Sequence, residues 1–396
     1  MLHVRAVSAA ALAVVLAGPA LADRTFETDK VTLRVETVAK GLVHPWGLAL
    51  LPDGRFLVTE RNPGRLRLGD RDGKLSEPLG NVPEVFRYEG PTDRSQAGLF
   101  HVALHPDFES NRLVYLSFSE PSDEGAGTAI ARGRLVDEGT PRLEDVEVIY
   151  TQNKHDSSGL HFGGRFAFDP KDKSIVLSVG ERRNISRAQD GEDHAGSFIR
   201  ITDDGGVPND NPFRNAGDKD EKVFAIGNRN SQGLAFDPET GRLWANDHGP
   251  KGGDEINLIE AGKNYGWPFQ TGGVDYSGAP MGKGSRGVEG MEDPVHIWEE
   301  TVAPSGLVVY RGEMFPEWRG DLLHGGLAAR GVVRTKIEDG KVTEDERMLT
   351  DFGRRIRDVQ VDREGALWLI TEHEDGEVLR VTRAEPAATG AVERKQ

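Results

Sequence analysis

Residues 47–60 read GLALLPDGRFLVTE, and this stretch decides the fold. An apolar run ends at the sequence LPDG, and a second apolar run follows after one arginine. Proline, aspartate and glycine in succession are typical of a tight turn, and short apolar runs on both sides of such a turn are typical of paired strands. The stretch therefore predicts a β-hairpin.

The same unit of strand, turn and strand recurs along the chain. Further copies span residues 102–118, 164–179, 233–246, 306–324 and 359–370, and the copy at 306–324 is degenerate. A spacing of roughly 50 to 70 residues is enough for a four-stranded unit, and repetition on this scale is typical of propellers and solenoids. Unrelated hairpins would give the same turns but not the same repeated order. We therefore predict an all-β fold, a six-bladed β-propeller with four-stranded antiparallel blades.

The composition excludes several classes of function. The chain of 396 residues has no cysteine, which excludes disulfides, thiolate catalysis and cysteine-based metal sites. Its formal net charge of -16 argues against nucleic acid or an anionic membrane surface as a partner. No segment after the N-terminal region is apolar enough to cross a bilayer, so we expect no membrane insertion.

The N-terminal residues are typical of an export signal. Residues 1–22, MLHVRAVSAAALAVVLAGPALA, combine a basic start, an apolar run and a small-residue pattern that ends at Ala22. They predict a signal peptide cleaved after Ala22 and a periplasmic protein. A membrane anchor is the alternative, but the apolar run is shorter than the roughly 20 residues that a span requires. We expect the propeller over residues 23–383 and a disordered tail over 384–396.

Two polar stretches precede predicted strands and carry groups suited to chemistry. In SGLHFGGR, residues 158–165, His161 is a proton acceptor suited to neutral pH, although a lone histidine beside a strand is more often structural. In GNRNSQG, residues 227–233, Arg229 presents a planar fork that matches carboxylates, with Asn230 beside it. These stretches indicate a base and an anion site.

Two further stretches suggest a cation and a second anion contact. HGPKGGDE, residues 248–255, combines a stiff turn with free carbonyls and adjacent carboxylates, which are suitable ligands for calcium. A solvated acidic turn would have the same sequence pattern, and the spacing of an EF-hand is not present. In RRIRD, residues 354–358, strand alternation places Arg355 and Arg357 on one face. Two cations on one face favour an anionic ligand.

Familiar catalytic motifs are absent from the sequence. It contains no G-x-S-x-G elbow, no H-E-x-x-H, no phosphate-binding P-loop and no dinucleotide-binding glycine motif that opens a helix. Redox chemistry would therefore need a different cofactor, one with several carboxylates and a calcium ion to match the arginines and the Gly-Pro carbonyls.

Five motifs together resemble a known family. HFGGR, GNRNSQGLAF, HGPKGGDEINL, GKNYGWP and RRIRDV occur in the order found in soluble aldose sugar dehydrogenases that use pyrroloquinoline quinone (PQQ), the glucose/sorbosone dehydrogenase family. The resemblance covers roughly residues 44–381. It implies a six-bladed propeller with the quinone at one end and the sugar above it. It also implies oxidation of the anomeric carbon of aldoses to lactones by hydride transfer to calcium-bound PQQ.

The resemblance also implies roles for individual residues. His161 would take the proton from the anomeric hydroxyl, Arg229 would support negative charge on the reduced cofactor, and Gln96 would touch sugar and base. The residues implied to hold the polar rim of the cofactor are Asn230, Arg355 and Arg357.

The implied calcium ligands fall on one connected loop. The carbonyls of Gly249 and Pro250 would hold the ion that bridges to the quinone. Glu255 and Tyr265 match the positions of a second, structural calcium. The implied partners are a small-molecule aldose and a soluble electron acceptor, and the protein would be a monomer or homodimer.

The chain departs from the family pattern at several positions. Ser231 replaces a proline, so we expect a less rigid turn, and Asn228 replaces a histidine or apolar residue. A cofactor-binding lysine is replaced near Ala328 and Ala329. These departures keep two alternatives open: a non-catalytic calcium-binding propeller that binds a ligand or protein, and a calcium-dependent lactonase with its ion caged by side chains in the central channel.

Overall fold

The computed structural model describes residues 24–88 and 95–384. Within them the structure is nearly all β. In chain order the strands are β1 (Arg24–Glu27), β2 (Thr32–Leu42), β3 (Pro45–Leu50), β4 (Phe56–Glu60), β5 (Arg65–Gly69), β6 (Leu99–Leu104), β7 (Leu113–Ser122), β8 (Gly125–Val136), β9 (Arg142–Thr151), β10 (Gly163–Phe168), β11 (Ile175–Val179), β12 (Ser197–Ile201), β13 (Val223–Ile226), β14 (Ser231–Phe236), β15 (Leu243–Asp247), β16 (Asp254–Ile259), β17 (His296–Trp298), β18 (Pro304–Val309), β19 (Leu322–Gly326), β20 (Gly331–Glu338), β21 (Lys341–Met348), β22 (Ile356–Val361), β23 (Leu367–Thr371) and β24 (Gly376–Arg383). The helical segments are α1 (Phe108–Asn111) and the 3₁₀-helices Ile185–Gln189, Pro316–Trp318 and Thr350–Phe352.

The strands form six antiparallel sheets, which are the blades of a propeller. Blade 1 is β3-β4-β5, and blades 2 to 5 are β6 to β9, β10 to β13, β14 to β17 and β18 to β21. Blade 6 has the order β1-β2-β24-β23-β22, so the first strands of the chain pair with the last one. The innermost strands β3, β6, β10, β14, β18 and β22 contact one another in a closed ring. The predicted six-bladed β-propeller is confirmed, and the degenerate repeat is a regular fifth blade.

Each sequence repeat corresponds to the two innermost strands of a blade. The aspartate that follows the first strand accepts a hydrogen bond from the backbone N–H two residues later, which fixes a tight turn. This contact recurs at Asp53, Asp169, Asp237 and Asp362. The repeated side chain therefore has a structural role, since it sets the turn between the two strands.

Every innermost strand carries a register shift near its first residues. The shifts lie between Pro45 and Leu48 in β3 and between Ile356 and Asp358 in β22, and the other four strands show the same irregularity. A β-bulge bends a strand and re-aims its side chains, and bulges are common beside active sites. The fold thus redirects the first residues of all six strands at one end of the central channel.

The core is divided among the blade interfaces. Leu57 of blade 1 packs with Leu99 of blade 2, and Leu323 of blade 5 packs with Val359 of blade 6. The channel itself holds a buried ion pair, in which Arg165 Nη1 lies 3.0 Å from Asp358 Oδ1. Apolar packing therefore joins neighbouring blades, and the buried ion pair links β10 to β22 across the ring.

Two sequence predictions fall on residues that the structure does not describe. The predicted signal peptide, residues 1–22, lies outside the described residues, as does the predicted tail after Ala384. Within residues 24–88 and 95–384, no helix has the length and apolar character needed to cross a bilayer.

Candidate active site at one end of the channel

A cavity of about 200 Å³ opens where the innermost strands begin. The strands start side by side, since a Cβ added at Gly47 in β3 would lie 2.9 Å from the backbone of His101 in β6. The cavity is lined by residues at or just before these starts, among them Trp46, Gln96, Phe100, Gln232, Arg355 and Arg357. Segments far apart in sequence therefore converge on one site.

His161 and Glu181 form a buried pair beside this cavity. His161 Nδ1 lies 2.6 Å from Glu181 Oε1. The histidine has a left-handed backbone with φ of 52°, and its N–H donates to Gln96 Oε1 at 2.7 Å. The predicted contact between Gln96 and the base is therefore made through the backbone of His161. Because Glu181 engages Nδ1, the other ring nitrogen, Nε2, is left for a substrate.

Burial shifts both groups of the pair in opposite directions. Burial, together with the positive charge of Arg229, lowers the pKa of His161 well below its usual value. Burial raises the pKa of Glu181 to about 7 in spite of the same arginine. Burial therefore disfavours the charged form of each group, so the imidazole of His161 is neutral, as a general base must be.

Arg229 and Asn230 lie on a turn held by one carboxylate. Asp247 at the end of β15 accepts hydrogen bonds from the backbone N–H groups of Arg229 and Asn230, both at 2.7 Å. We expected the turn to lose rigidity because Ser231 replaces proline. The structure shows a different restraint, since two backbone donors bind one buried side chain. Asn230 in turn accepts from the Gly163 N–H at 3.1 Å, which ties this turn to β10.

Arg355 and Arg357 meet the same anionic group, Glu372. Arg355 Nη2 lies 2.8 Å and Arg357 Nη2 lies 2.7 Å from Glu372 Oε2. The two guanidinium groups therefore share one partner, although Arg355 precedes β22 and a register shift follows it, so regular strand alternation is not what places them. Burial opposes ionisation of Glu372, but the guanidinium groups of Arg357, Arg61 and Arg355 hold its pKa well below the usual range. The sequence analysis missed Glu372, which lies on a different strand end.

Several buried donors in the site have no partner among the described residues. These donors are Arg229 Nε, Asn230 Nδ2, Arg61 Nε and Arg357 Nε. A buried donor without a partner costs roughly 1–3 kcal/mol, and more when it is charged. Donors of this kind around one cavity fit an anionic ligand with several acceptor oxygens, and PQQ is such a ligand.

An exposed tyrosine contacts Arg229 and was also not predicted from the sequence. Tyr276 is 58% exposed, and its hydroxyl accepts a hydrogen bond from Arg229 Nη2 at 3.2 Å. The Arg183 guanidinium lies 5.5 Å from the centre of its ring. The only sequence signal was its place in a long polar insertion, so nothing marked it as a site residue.

The predicted calcium ligands lie in two different environments. Among the described residues no hydrogen bond reaches the carbonyl oxygens of Gly249 or Pro250, and Asp254 fixes their turn by accepting the Gly249 N–H at 2.9 Å. Free carbonyls on a rigid turn are suitable ligands for a hard cation. In the part of the chain that the structure describes, no three His, Asp or Glu side chains form a metal-binding group.

Glu255 and Tyr265 are not brought together by their side chains. Burial, reinforced by nearby Asp247, raises the pKa of Glu255 to about 8. The Tyr265 hydroxyl instead donates to the Leu258 carbonyl at 2.7 Å and accepts from the Glu260 N–H at 2.8 Å. A contribution of Tyr265 to a cation site would therefore have to come from its backbone carbonyl.

Fold and site together define a class of protein: a six-bladed propeller with a buried histidine–glutamate pair and an arginine-rich cavity at one channel end. The chain belongs to the glucose/sorbosone dehydrogenase family, whose sequence model matches residues 42–380. The resemblance to soluble PQQ-dependent aldose sugar dehydrogenases and the expectation of an enzyme of that class are confirmed.

Individual relatives support this assignment. The aldose sugar dehydrogenase YliI of Escherichia coli K12 is 41% identical over 89% of this chain and 93% of its own length. The apo-form crystal structure of the soluble aldose sugar dehydrogenase from Escherichia coli matches with a TM-score of 0.83 and 41% identity, covering 89% of this chain and 100% of that one. The PQQ-bound aldose sugar dehydrogenase of Streptomyces coelicolor matches with a TM-score of 0.73 and 29% identity, covering 89% and 99%.

Proposed function

We propose that the protein oxidises the anomeric carbon of aldoses to lactones with PQQ as cofactor and calcium as its metal. One observation carries the proposal: the His161–Glu181 pair adjoins a cavity that is lined by three guanidinium groups. The relatives support the cofactor, because one of them was solved in its PQQ-bound form.

When bound, PQQ would supply the two-electron acceptor for the hydride of the anomeric carbon. His161 Nε2 accepts the proton of the anomeric hydroxyl, so that one hydride and one proton leave the sugar and a lactone remains. Glu181 holds the ring through Nδ1–H and stabilises the positive charge that the imidazole gains. The pair is thus an oriented general base.

The turn at Arg229 and Asn230 holds the cofactor beside the base. The Arg229 guanidinium places a fixed positive charge where negative charge develops during hydride transfer. Its packing on the Trp267 ring, at 5.2 Å, limits its motion. Arg355 and Arg357 bind the carboxylates of the cofactor by charge-assisted hydrogen bonds.

Calcium is assigned to the turn at Gly249 and Pro250, with a second ion at Glu255. The free carbonyls support the first site, and the void of about 10 Å³ beside Gly249 and Glu255 supports the second. A cation at the first site would act as a Lewis acid.

The other assignments follow from the sequence. Residues 1–22 act as a cleaved signal peptide, residues 23–383 form the propeller, and residues 384–396 are a tail. The mature protein works in the periplasm as a monomer or homodimer and passes electrons to a soluble acceptor. Mass spectrometry of the exported protein tests the cleavage after Ala22.

The proposal is tested by adding calcium and PQQ to purified apoprotein and following the cofactor spectrum when an aldose is added. The parent protein should bind PQQ and reduce it with the sugar. His161→Ala should bind PQQ nearly as well but turn over at least about 10²-fold more slowly, the lower end of the contribution of a positioned base. If the parent binds no PQQ, or if the variant reduces it at the parent rate, the proposal fails.

The two alternatives receive less support. A lactonase was expected to cage its ion in the channel, but Arg165 and Asp358 form a buried ion pair there. A non-catalytic propeller would have no reason to bury an oriented histidine–glutamate pair beside an open cavity. Lactone hydrolysis by the apoprotein with calcium alone would favour the lactonase.

A further inference from the structure

Arg61 brings a third guanidinium group to the cavity from blade 1. It follows β4 directly and lies 8% exposed among the cavity-lining residues. Its Nη2 donates to Glu372 Oε1 at 3.3 Å and its Nη1 to the Ser95 carbonyl at 3.3 Å. Its Nε–H is buried and has no partner among the described residues. The side chain is therefore anchored at its tip with one donor unused.

The charges around Glu372 do not balance. Arg61, Arg355 and Arg357 contribute three positive charges and Glu372 one negative charge, which leaves a surplus of two. Burying the positive charge of Arg61 is costly, and burial lowers its pKa to about 10. Glu372 opposes this shift, whereas Arg357 and Arg355 reinforce it. Arg61 and Arg357 are buried whereas Arg355 is exposed, so Glu372 neutralises only one of the two buried cations. An anion in the open cavity would stabilise the other.

On the side of blade 5, the cavity has no such guanidinium group among the described residues. There the lining comes from Ala303 and Leu327, and the next cation along the chain, Arg330, is an exposed residue. The positive charge at the cavity is therefore concentrated on the side of blades 1 and 6.

We propose that Arg61 is a cofactor-anchoring residue, which binds a carboxylate of the quinone directly in addition to its ion pair with Glu372. The inference rests on the proposed function and assigns one further contact within it. Its rival is a structural role, in which Arg61 serves only to neutralise Glu372.

A double-mutant cycle on the apoprotein separates these roles. PQQ binding is measured by fluorescence titration in calcium-containing buffer for the parent, Arg61→Gln, Glu372→Gln and the double variant. Arg61→Gln should weaken binding by about ten-fold or more, since it removes a charge-assisted hydrogen bond. If Arg61 contacts PQQ, most of this loss remains in the Glu372→Gln background, whereas a purely structural arginine would show none there.

A matched pair of residues provides the control. Arg71 and Glu364 also join blades 1 and 6, with 3.6 Å between Arg71 Nη2 and Glu364 Oε1, but this ion pair is exposed and lies outside the cavity. Arg71→Gln should leave PQQ binding unchanged. Arg61→Lys keeps the charge without the planar fork, and thermal melts of all apoproteins show whether each variant is folded.

The outcomes are distinct. No PQQ binding by the parent overturns the proposed function. Normal parent binding with unchanged affinity in folded Arg61→Gln overturns the inference alone, as does a loss that disappears in the Glu372→Gln background. Weakened binding in both backgrounds, with an intermediate Arg61→Lys, supports direct anchoring.

Discussion

His161 Nδ1 and Glu181 Oε1 lie 2.6 Å apart although the residues are 20 positions apart in sequence. The contact follows from the hairpin of β10 and β11, in which Gly163 pairs with Val179. His161 precedes the first of these partners by two residues, and Glu181 follows the second by two. The base and its orienting carboxylate are therefore placed by strand register.

This pair makes activity depend on pH. In the active form, Glu181 is ionised and accepts the Nδ1–H of His161, while Nε2 of His161 carries no proton. Adding one proton to the pair converts it to an inactive form. Since burial raises the pKa of Glu181 to about 7, we expect kcat/KM to fall as the pH is lowered through about 7. Steady-state rates from pH 5 to 9 at saturating PQQ test this. Glu181→Gln should lower kcat and abolish the step near 7 while PQQ affinity is retained; an unchanged profile would contradict the role of the pair.

Replacing Arg355 and Arg357 together with alanine should weaken PQQ binding. Each charge-assisted hydrogen bond contributes roughly 1.5 to 3 kcal/mol, and the share of Arg355 is smaller because its side chain is 45% exposed. Titration of the apoprotein should show at least about a ten-fold loss of affinity. Arg354→Ala is the control, because this neighbour lies 3.9 Å from Glu377 and does not line the cavity. If the double variant and Arg354→Ala bind PQQ with equal affinity, Arg355 and Arg357 have a structural role only.

Calcium should act in two separable ways. Chelation of the apoprotein should lower its melting temperature, and added calcium should restore it, because an ion that binds only the native state stabilises it. Glu255→Gln should lose most of this response yet keep some activity at high calcium, since the Gly249–Pro250 carbonyls remain. Calorimetry of the apoprotein with calcium gives the number of sites. The two-site assignment is wrong if the apoprotein binds no calcium, or if chelated protein oxidises sugar as well as untreated protein.

The ion pair on the channel axis should be important for stability. Arg165→Met leaves the buried carboxylate of Asp358 without its cation and should cost about 3–5 kcal/mol in the free energy of unfolding. Arg363→Met is the matched control, because its pair with Glu109 is exposed and should be worth at most about 1 kcal/mol. Denaturant titration measures both. Equal midpoints would show that the axial pair contributes nothing.

The sequence analysis recovered the blades because their inner strands are buried on both sides. β4, β11 and β23 are buried along their whole length, so they read as continuous apolar runs. The outer strand β21 alternates between exposed and more buried positions and carries five charged residues among eight, KVTEDERM, so it gave no strand signal. A strand as highly charged as β21 therefore has no apolar run to mark it.

Site residues could be predicted from the sequence where they lie within one short motif. His161 and Arg229 stand in such motifs, and their neighbours identified them. Arg61 and Glu372 are 311 positions apart and meet only because blades 1 and 6 adjoin. Contacts of this kind have no local pattern, so the countercharges of the site could not be predicted from one sequence.

The pairing of β2 with β24 gives the ring a single seam. Val35 lies opposite Val381, so blade 6 is completed by the start of the chain, and β2 then leads directly into blade 1. β2 is covalently continuous with blade 1 and hydrogen-bonded to blade 6. If β2 separates from β24, this connection no longer closes the ring. Arg61 and Glu372 lie on the same two blades, so a ligand bound there would be a second connection between blades 1 and 6. Binding of the cofactor in the cavity should therefore slow the separation of blades 1 and 6, in addition to completing the active site.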